Sequence, residues 1–322
     1  MLYQKLATAL STYAINEIGF VHATPNADEL PDDSQQYLPL VVVDSKLGFP
    51  LPHLPTLLRE ADDALRRATT SSEKASTSKI MVLLKPDHYT AMNMRKKLIM
   101  EKQLDVKDEI ELIDLIFTLS RHSKSCIAWH HRRWLYAQWP EMMDLEKELA
   151  LCERTATLHP RNYYAWTYRG WLLNKFITTS EDQHSEYLRT RLWIERNVSD
   201  HSGIHHMARV LQVMGKVNKD THMDWIDDLI IRFPGHEALW CHRRFCATFF
   251  ALDGHGFVDK AITAAQGTCH NDQDLMHMQM ELAIRYGIWL CLMGISPTRK
   301  EEYCSRLQDI PYVRAIGNNK EC

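Results

Sequence analysis

No apolar run in this sequence approaches the roughly 20 residues that a membrane span requires, so no membrane-spanning helix is expected within it. Residues 1–20, "MLYQKLATALSTYAINEIGF", alternate polar and apolar positions with helical spacing. They lack an unbroken apolar core and a small-residue cleavage site, so a secretory signal is not expected. The eight cysteines are Cys126, Cys152, Cys241, Cys246, Cys269, Cys291, Cys304 and Cys322, and no two form a Cys-x-x-Cys pair. Scattered through helical pattern, they read as reduced thiols of a cytoplasmic protein. Cys322 is the last residue and does not stand as a prenylation signal, which needs three residues after its cysteine. A Gly-x-Ser-x-Gly turn and a Gly-rich phosphate loop are also missing. So is an excess of one charge: 38 Lys and Arg against 41 Asp and Glu give a net charge of -3. That balance argues against a strongly electrostatic nucleic-acid binder and leaves clusters such as "HHRR" as local contacts.

What the sequence has is a repeat. "RNYYAWTYRGWLL" (161–173) carries Trp166 and, three residues later, Arg169. "SCIAWHHRRWLY" (125–136) repeats the pattern with Trp129 and Arg132, and "HEALWCHRRFCA" (236–247) with Trp240 and Arg243. "HYTAMNMRKKLI" (88–99) is a degenerate copy with Met92 and Arg95; "DHSGIHHMARVL" (200–211), with Ile204 and Met207, is a poorer one. The tryptophan slots at 92, 129, 166, 204 and 240 are separated by about 37, 37, 38 and 36 residues, the period of a helical-pair array.

Each period reads as two helices. The first is an amphipathic run such as "DEIELIDLIFTLS" or "LEKELALCERTATLH". A turn follows, often with a proline (Pro86, Pro160, Pro234), and the second helix carries the signature. Four residues before the slot stand His88, Ser125, Asn162, Asp200 and His236, in the place of helix N-caps. One residue before it stand Ala91, Ala128, Ala165, Gly203 and Leu239, mostly small enough for a neighbouring helix to approach.

The fold class expected is all-α: a right-handed helical-pair solenoid with a short irregular, strand-containing N-terminal stretch. Its divisions are an N-terminal helix, irregular stretch and helix (1–75), five helical-pair repeats (76–252) and capping C-terminal helices (253–322). Within the first division a helix is expected over about 1–18, a short strand in "YLPLVVVDSKLGFPLP" and a helix from about 54 to 69. The polar "TTSSEKASTS" reads as a link, and the acidic "ADELPDDSQQ" (27–36) as a solvated loop or a client contact.

At 100° per residue Trp166, Arg169 and Leu172 fall on one helix face, so the arginine lies inside an apolar stripe. Arg132, Arg169 and Arg243 are therefore expected to be buried. Each should stack on its ring while donating to carbonyls at the end of an adjacent helix, or to acids. Three arginines in register are architecture, not three active sites.

The N-x-x-x-W-x-x-R-x-W-L form of residues 162–172, with "IAWHHRRWL" and "ALWCHRRF", resembles the repeat of the protein prenyltransferase α-subunit family. The tetratricopeptide Trp-Leu-Gly-Tyr framework is absent. The resemblance covers residues 85–250, and "NVSDHSGIHH" and "FPGHEALWCHRR" are similar to a divergent branch of that family. It implies the α-type subunit of a heterodimeric protein geranylgeranyltransferase, active only with a partner. The implied partner is a Rab-type β subunit that holds the zinc and the geranylgeranyl diphosphate; the other partner is a client protein. By motif position the family's basic residue and tyrosine near the isoprenoid diphosphate fall on Arg161 and Tyr163. The rival expectation is a helical-repeat scaffold with no catalytic contribution. No cofactor and no metal are expected in this chain: His201 and His205 share a helix face, but nothing at motif spacing completes a ligand set. The pairs His130–His131 and Cys241–His242 are no better supplied. No stable membrane insertion and no nucleic acid are expected.

Overall fold

Helices start in this chain where a side chain can accept from the open first turn. A computed structural model describes residues 1–215, 219–294 and 299–310; Cys322 lies outside them. In the second helices, His88 Nδ1 accepts from Ala91 N at 3.1 Å, and Ser125 Oγ from Ala128 N at 3.1 Å. Asn162 Oδ1 accepts from Ala165 N at 3.3 Å and Asp200 Oδ1 from Gly203 N at 3.0 Å. Each bond satisfies a donor that the helix leaves open. His236, the fifth residue of this set, makes no such cap; its Nδ1 lies 2.8 Å from Ser199 Oγ.

The chain divides into two compact units, Met1–Arg169 and Gly170–Cys322. The first opens with α1 (Leu2–Thr12), shorter than the expected helix. Residues Glu17–Val21 form β1 instead, parallel to β3 (Lys46–Pro50), with β2 (Val41–Val43) antiparallel on the other side of β3. The β-branched and aromatic residues around Gly19 suit a strand, and Ile18 is buried against the core. The β2–β3 turn places Asp44 and Ser45 at φ 48° and 64°, as a tight hairpin requires. In the acidic stretch, Glu29 caps Asn26 and Asp33 accepts from the Tyr13 hydroxyl at 2.7 Å.

Next come α2 (Leu54–Arg67) and α3 (Ser71–Leu84). The polar "TTSSEKASTS" is thus largely helical. Thr70 and Glu73 close a reciprocal capping box, and Thr77 Oγ1 turns back to the Glu73 carbonyl at 2.7 Å. Helix pairing then sets in: α3 with α4 (Tyr89–Met100), then α5 (Val106–Ile116) with α6 (Cys126–Gln138). α7 (Leu145–Leu158) and the start of α8 (Tyr163–Lys175) complete this unit. Trp129 stacks on Phe117 with centroids 4.3 Å apart and meets Tyr168 at 5.2 Å.

The second unit holds the rest of α8, then α9 (Ser180–Arg196) packed on α10 (His201–Met214), and α11 (Lys219–Arg232) packed on α12 (Glu237–Phe250). α12 ends where Ala251 turns left-handed at φ 54°. α13 (His255–Thr268), α14 (Gln273–Leu292) and α15 (Lys300–Gln308) follow. Among the described residues there are 15 α-helices and none long and apolar enough to cross a membrane.

Candidate functional site

Arg161 and Tyr163 meet on one turn, between α7 and α8. Arg161 adopts a left-handed backbone (φ 59°), and its carbonyl accepts from Tyr163 N at 2.8 Å. Asn162 between them is fully buried. Its amide donates to the Ser123 carbonyl at 2.8 Å while its oxygen caps α8, so the turn is clamped from inside. Arg161 is exposed and Tyr163 is 62% exposed. Two side chains that carry charge and a hydroxyl therefore face outward at the positive end of a helix dipole. The exposed Cys126, at the start of α6, faces Tyr164 on the same edge.

The repeat arginines are elsewhere. Arg95, Arg132, Arg169 and Arg243 are all at most 4% exposed, as their place in the apolar stripe predicts. Their acceptors are mainly carboxylates of the first helices. Arg132 Nε and Nη2 clasp Glu148 at 2.7 and 2.6 Å, and Arg132 also pairs with Asp114 at 2.8 Å. Glu148 further accepts from the hydroxyls of Tyr136 (3.0 Å) and Tyr168 (2.8 Å). Arg95 clasps Glu109 through Nε and Nη2, and its Nη1 donates to the Ala75 carbonyl at 3.1 Å. Arg169 pairs with Glu153 at 3.1 Å and Arg243 with Asp227 at 2.7 Å. Only Arg169 stacks on its own slot ring, 5.4 Å from the Trp166 centroid; Arg243 stacks on Phe257 at 3.9 Å.

A second recurring position lies two residues after the slot. His131 Nε2 lies 2.8 Å from Glu109, Tyr168 donates to Glu148, and His206 Nε2 lies 2.8 Å from Glu186. Burial alone would raise the Glu109 carboxyl, but the His131 hydrogen bond and Arg95 more than offset it and hold it at about 2. Burial keeps His131 neutral, so it donates Nε2–H to the carboxylate. The buried acids Glu109, Glu148 and Glu186 escape a sequence reading because a lone glutamate in an amphipathic helix resembles a solvated position. The signal that could have found them is their recurrence at the repeat period inside "DEIELIDL", "LEKELALC" and "SEYLRTRL".

His201 and His205 are exposed on α10, and no third ligating side chain joins them among the described residues. His130 is exposed, while His131 is taken by Glu109.

The Protein prenyltransferase alpha subunit repeat profile matches residues 106–139, 145–176 and 220–250. These are the pairs α5–α6, α7–α8 and α11–α12. The chain carries three copies of the protein prenyltransferase α-subunit repeat. The pairs left unmatched in this repeat protein are those with Met92, or with Ile204 and Met207, in the signature slots. It is 29% identical to Danio rerio Protein prenyltransferase alpha subunit repeat-containing protein 1 over 68% of this chain and 67% of that one. It is 24% identical to Bos taurus Geranylgeranyl transferase type-2 subunit alpha over 50% of this chain, which is 31% of that protein. Its fold is like that in Candida albicans protein geranylgeranyltransferase-I complexed with GGPP, at a TM-score of 0.54 and 14% identity, covering 80% of this chain and 89% of that one.

Proposed function

We propose that this repeat protein is the α-type subunit of a cytoplasmic, heterodimeric protein geranylgeranyltransferase, paired with a Rab-type β subunit. The observation that carries the reading is the clamped turn with outward-facing Arg161 and Tyr163 in one of the three pairs that the family profile matches. A guanidinium, a phenol and a helix N-terminus suit a diphosphate. They do not suit a zinc ion, since no set of three ligating side chains includes this turn among the described residues. On this reading zinc and geranylgeranyl diphosphate belong to the β partner, where zinc would activate the client thiolate. The part of this chain is to place Arg161 beside the leaving diphosphate, where negative charge builds as the prenyl group departs.

Co-expression with the Rab-type β subunit tests this. Co-elution with transfer of a radiolabelled geranylgeranyl group to a client is expected. Arg161→Ala should slow single-turnover transfer by about 10–100-fold with assembly intact, the scale of one charge-assisted contact. Arg161→Lys should recover part of the loss, and Tyr163→Phe should have a smaller effect. Normal turnover in Arg161→Ala would leave the chain as a scaffold.

A further inference from the structure

Three buried side chains of the second unit, His222 on α11 with His242 and Cys246 on α12, bring ligating atoms within 4.8 Å of one another, and among the described residues they form the only such group. We propose that His222, His242 and Cys246 hold one soft d10 metal cation, Cu(I) or Zn(II), as a structural centre.

The repeat register singles these residues out. His222 stands where earlier pairs carry the buried acids Glu109, Glu148 and Glu186. His242 stands where they carry His131, Tyr168 and His206, and Cys246 where they carry Leu135, Leu172 and Val210. By register, Met207 replaces the arginine that in earlier pairs reaches the next acid, as Arg95 reaches Glu109 and Arg132 reaches Glu148. This level has thus lost both members of the ion pair. Imidazole, imidazole and thiol have taken up the space together.

The local geometry suits ligation. His222 Nδ1 is held by the Tyr187 hydroxyl at 3.0 Å, the kind of outer contact that fixes a ligating ring and aims its other nitrogen. That nitrogen, Nε2, faces His242 Nε2 at 2.9 Å, a separation that a cation about 2.0–2.1 Å from each nitrogen can bridge. His242 Nδ1 is buried without a hydrogen-bond partner. His242 and Cys246 are four residues apart on one helix and so share its face. Imidazole and thiolate together select Cu(I) or Zn(II) over hard cations. With one thiolate, Cu(I) leaves the buried centre neutral and Zn(II) leaves it singly positive. Burial pushes the Cys246 thiol up to about 12, so without metal it is protonated, and binding must exchange its proton for the cation, one released per metal. Motif spacing hides the site, because 20 residues separate the two histidines.

The test uses the full chain, stripped with a chelator and titrated anaerobically with Zn(II), with Cu(I) and with Co(II). The expected result is one equivalent of Zn(II) or Cu(I), one proton released, a higher Tm, and a thiolate-to-cobalt charge-transfer band. Cys246→Ser should abolish that band. Tyr187→Phe should weaken binding by about 10–100-fold, the usual effect of removing an outer-shell partner. Wild-type protein that stays folded yet takes up neither Zn(II) nor Cu(I) would overturn the proposal and leave a neutral His–His hydrogen bond in an apolar core. Binding that survives in Cys246→Ser with an unchanged cobalt spectrum would overturn it too.

Discussion

Glu148 in the first unit and His222 in the second hold the same position of their helix pairs and are satisfied in opposite ways. Glu148 is an anion that collects donors from Arg132, Tyr136 and Tyr168, drawn from two successive second helices. His222 is a neutral ring, pushed down to about 3 by burial, between another neutral imidazole and a phenol. A carboxylate can accept several bonds at once, so one acid can tie a pair to its neighbour and fix the register between them. An imidazole has only two nitrogens, and His222 uses one toward Tyr187 of α9 and the other toward His242 of α12. At this one position the first unit thus writes its register in charge and the α11–α12 pair in neutral contacts, while the ion pair of α11–α12, Arg243 with Asp227, lies elsewhere in the pair. A buried ion pair of this kind is poor evidence of added stability, but breaking one is costly, because the remaining charge keeps its desolvation penalty.

The largest effect should come from giving the first unit the residue that the fourth pair carries. Arg132→Met strands Glu148 and should cost about 3–5 kcal/mol in urea unfolding, the scale for a broken buried pair. Met207→Leu, at the same register position, should cost less than about 1.5 kcal/mol, as a volume-conserving apolar swap does. Equal losses would end the distinction between the two units.

The converse change tests whether the ion pair can be rebuilt. Met207→Arg and His222→Glu should each destabilise, since each buries one unpaired charge. Together they should be less harmful than their sum, with a favourable coupling of about 1–3 kcal/mol in a double-mutant cycle. Simple additivity would mean that the register equivalence of Met207 with Arg95 and Arg132 does not extend to contact.

His122 sharpens the comparison from within the first unit, because it is a buried imidazole with no carboxylate hydrogen-bonded to it, unlike His131. Burial, aided by Arg121, pushes it down to about 4. A depressed imidazole contributes stability that is complete above its unfolded value near 6.5 and is lost as pH falls toward the folded value. Between pH 7 and pH 5 the wild type should therefore lose about 2 kcal/mol more than His122→Gln. Parallel stability curves for the two proteins would place the acid sensitivity elsewhere.

Much of this is legible in the sequence. The period of Trp129, Trp166 and Trp240 set the helix pairs, and the position of Arg132, Arg169 and Arg243 three residues later set their burial. The acids that receive them were not legible, because Glu109 and Glu148 gain their meaning from helices far away in sequence. β1 replaces the end of the expected helix because its pairing partner β3 lies some 30 residues on, a contact that the helical spacing of residues 1–12 does not report. Arg161 and Tyr163 were placed by motif position, and the structure adds the reason that their turn is rigid: Asn162 is bonded on both sides.

That asparagine gives the smallest and most local comparison. Asn162 and His236 hold the same place, four residues before Trp166 and Trp240. Asn162 accepts from Ala165 N and donates to Ser123, whereas His236 leaves the first turn of α12 without a side-chain cap. Truncating a cap that works should cost about 0.5–2 kcal/mol, and Asn162→Ala should lie at the upper end because its amide also satisfies a buried carbonyl. His236→Ala removes only an exposed contact with Ser199 and should stay within about 0.5 kcal/mol, the range of surface substitutions. Asn162→Asp separates the two functions of the side chain. It keeps the capping oxygen but replaces the donor toward Ser123 with a second acceptor, so it should be no better than Asn162→Ala. If Asn162→Asp were as stable as wild type, the cap alone would account for the position, and the clamp on the Arg161 turn would be incidental.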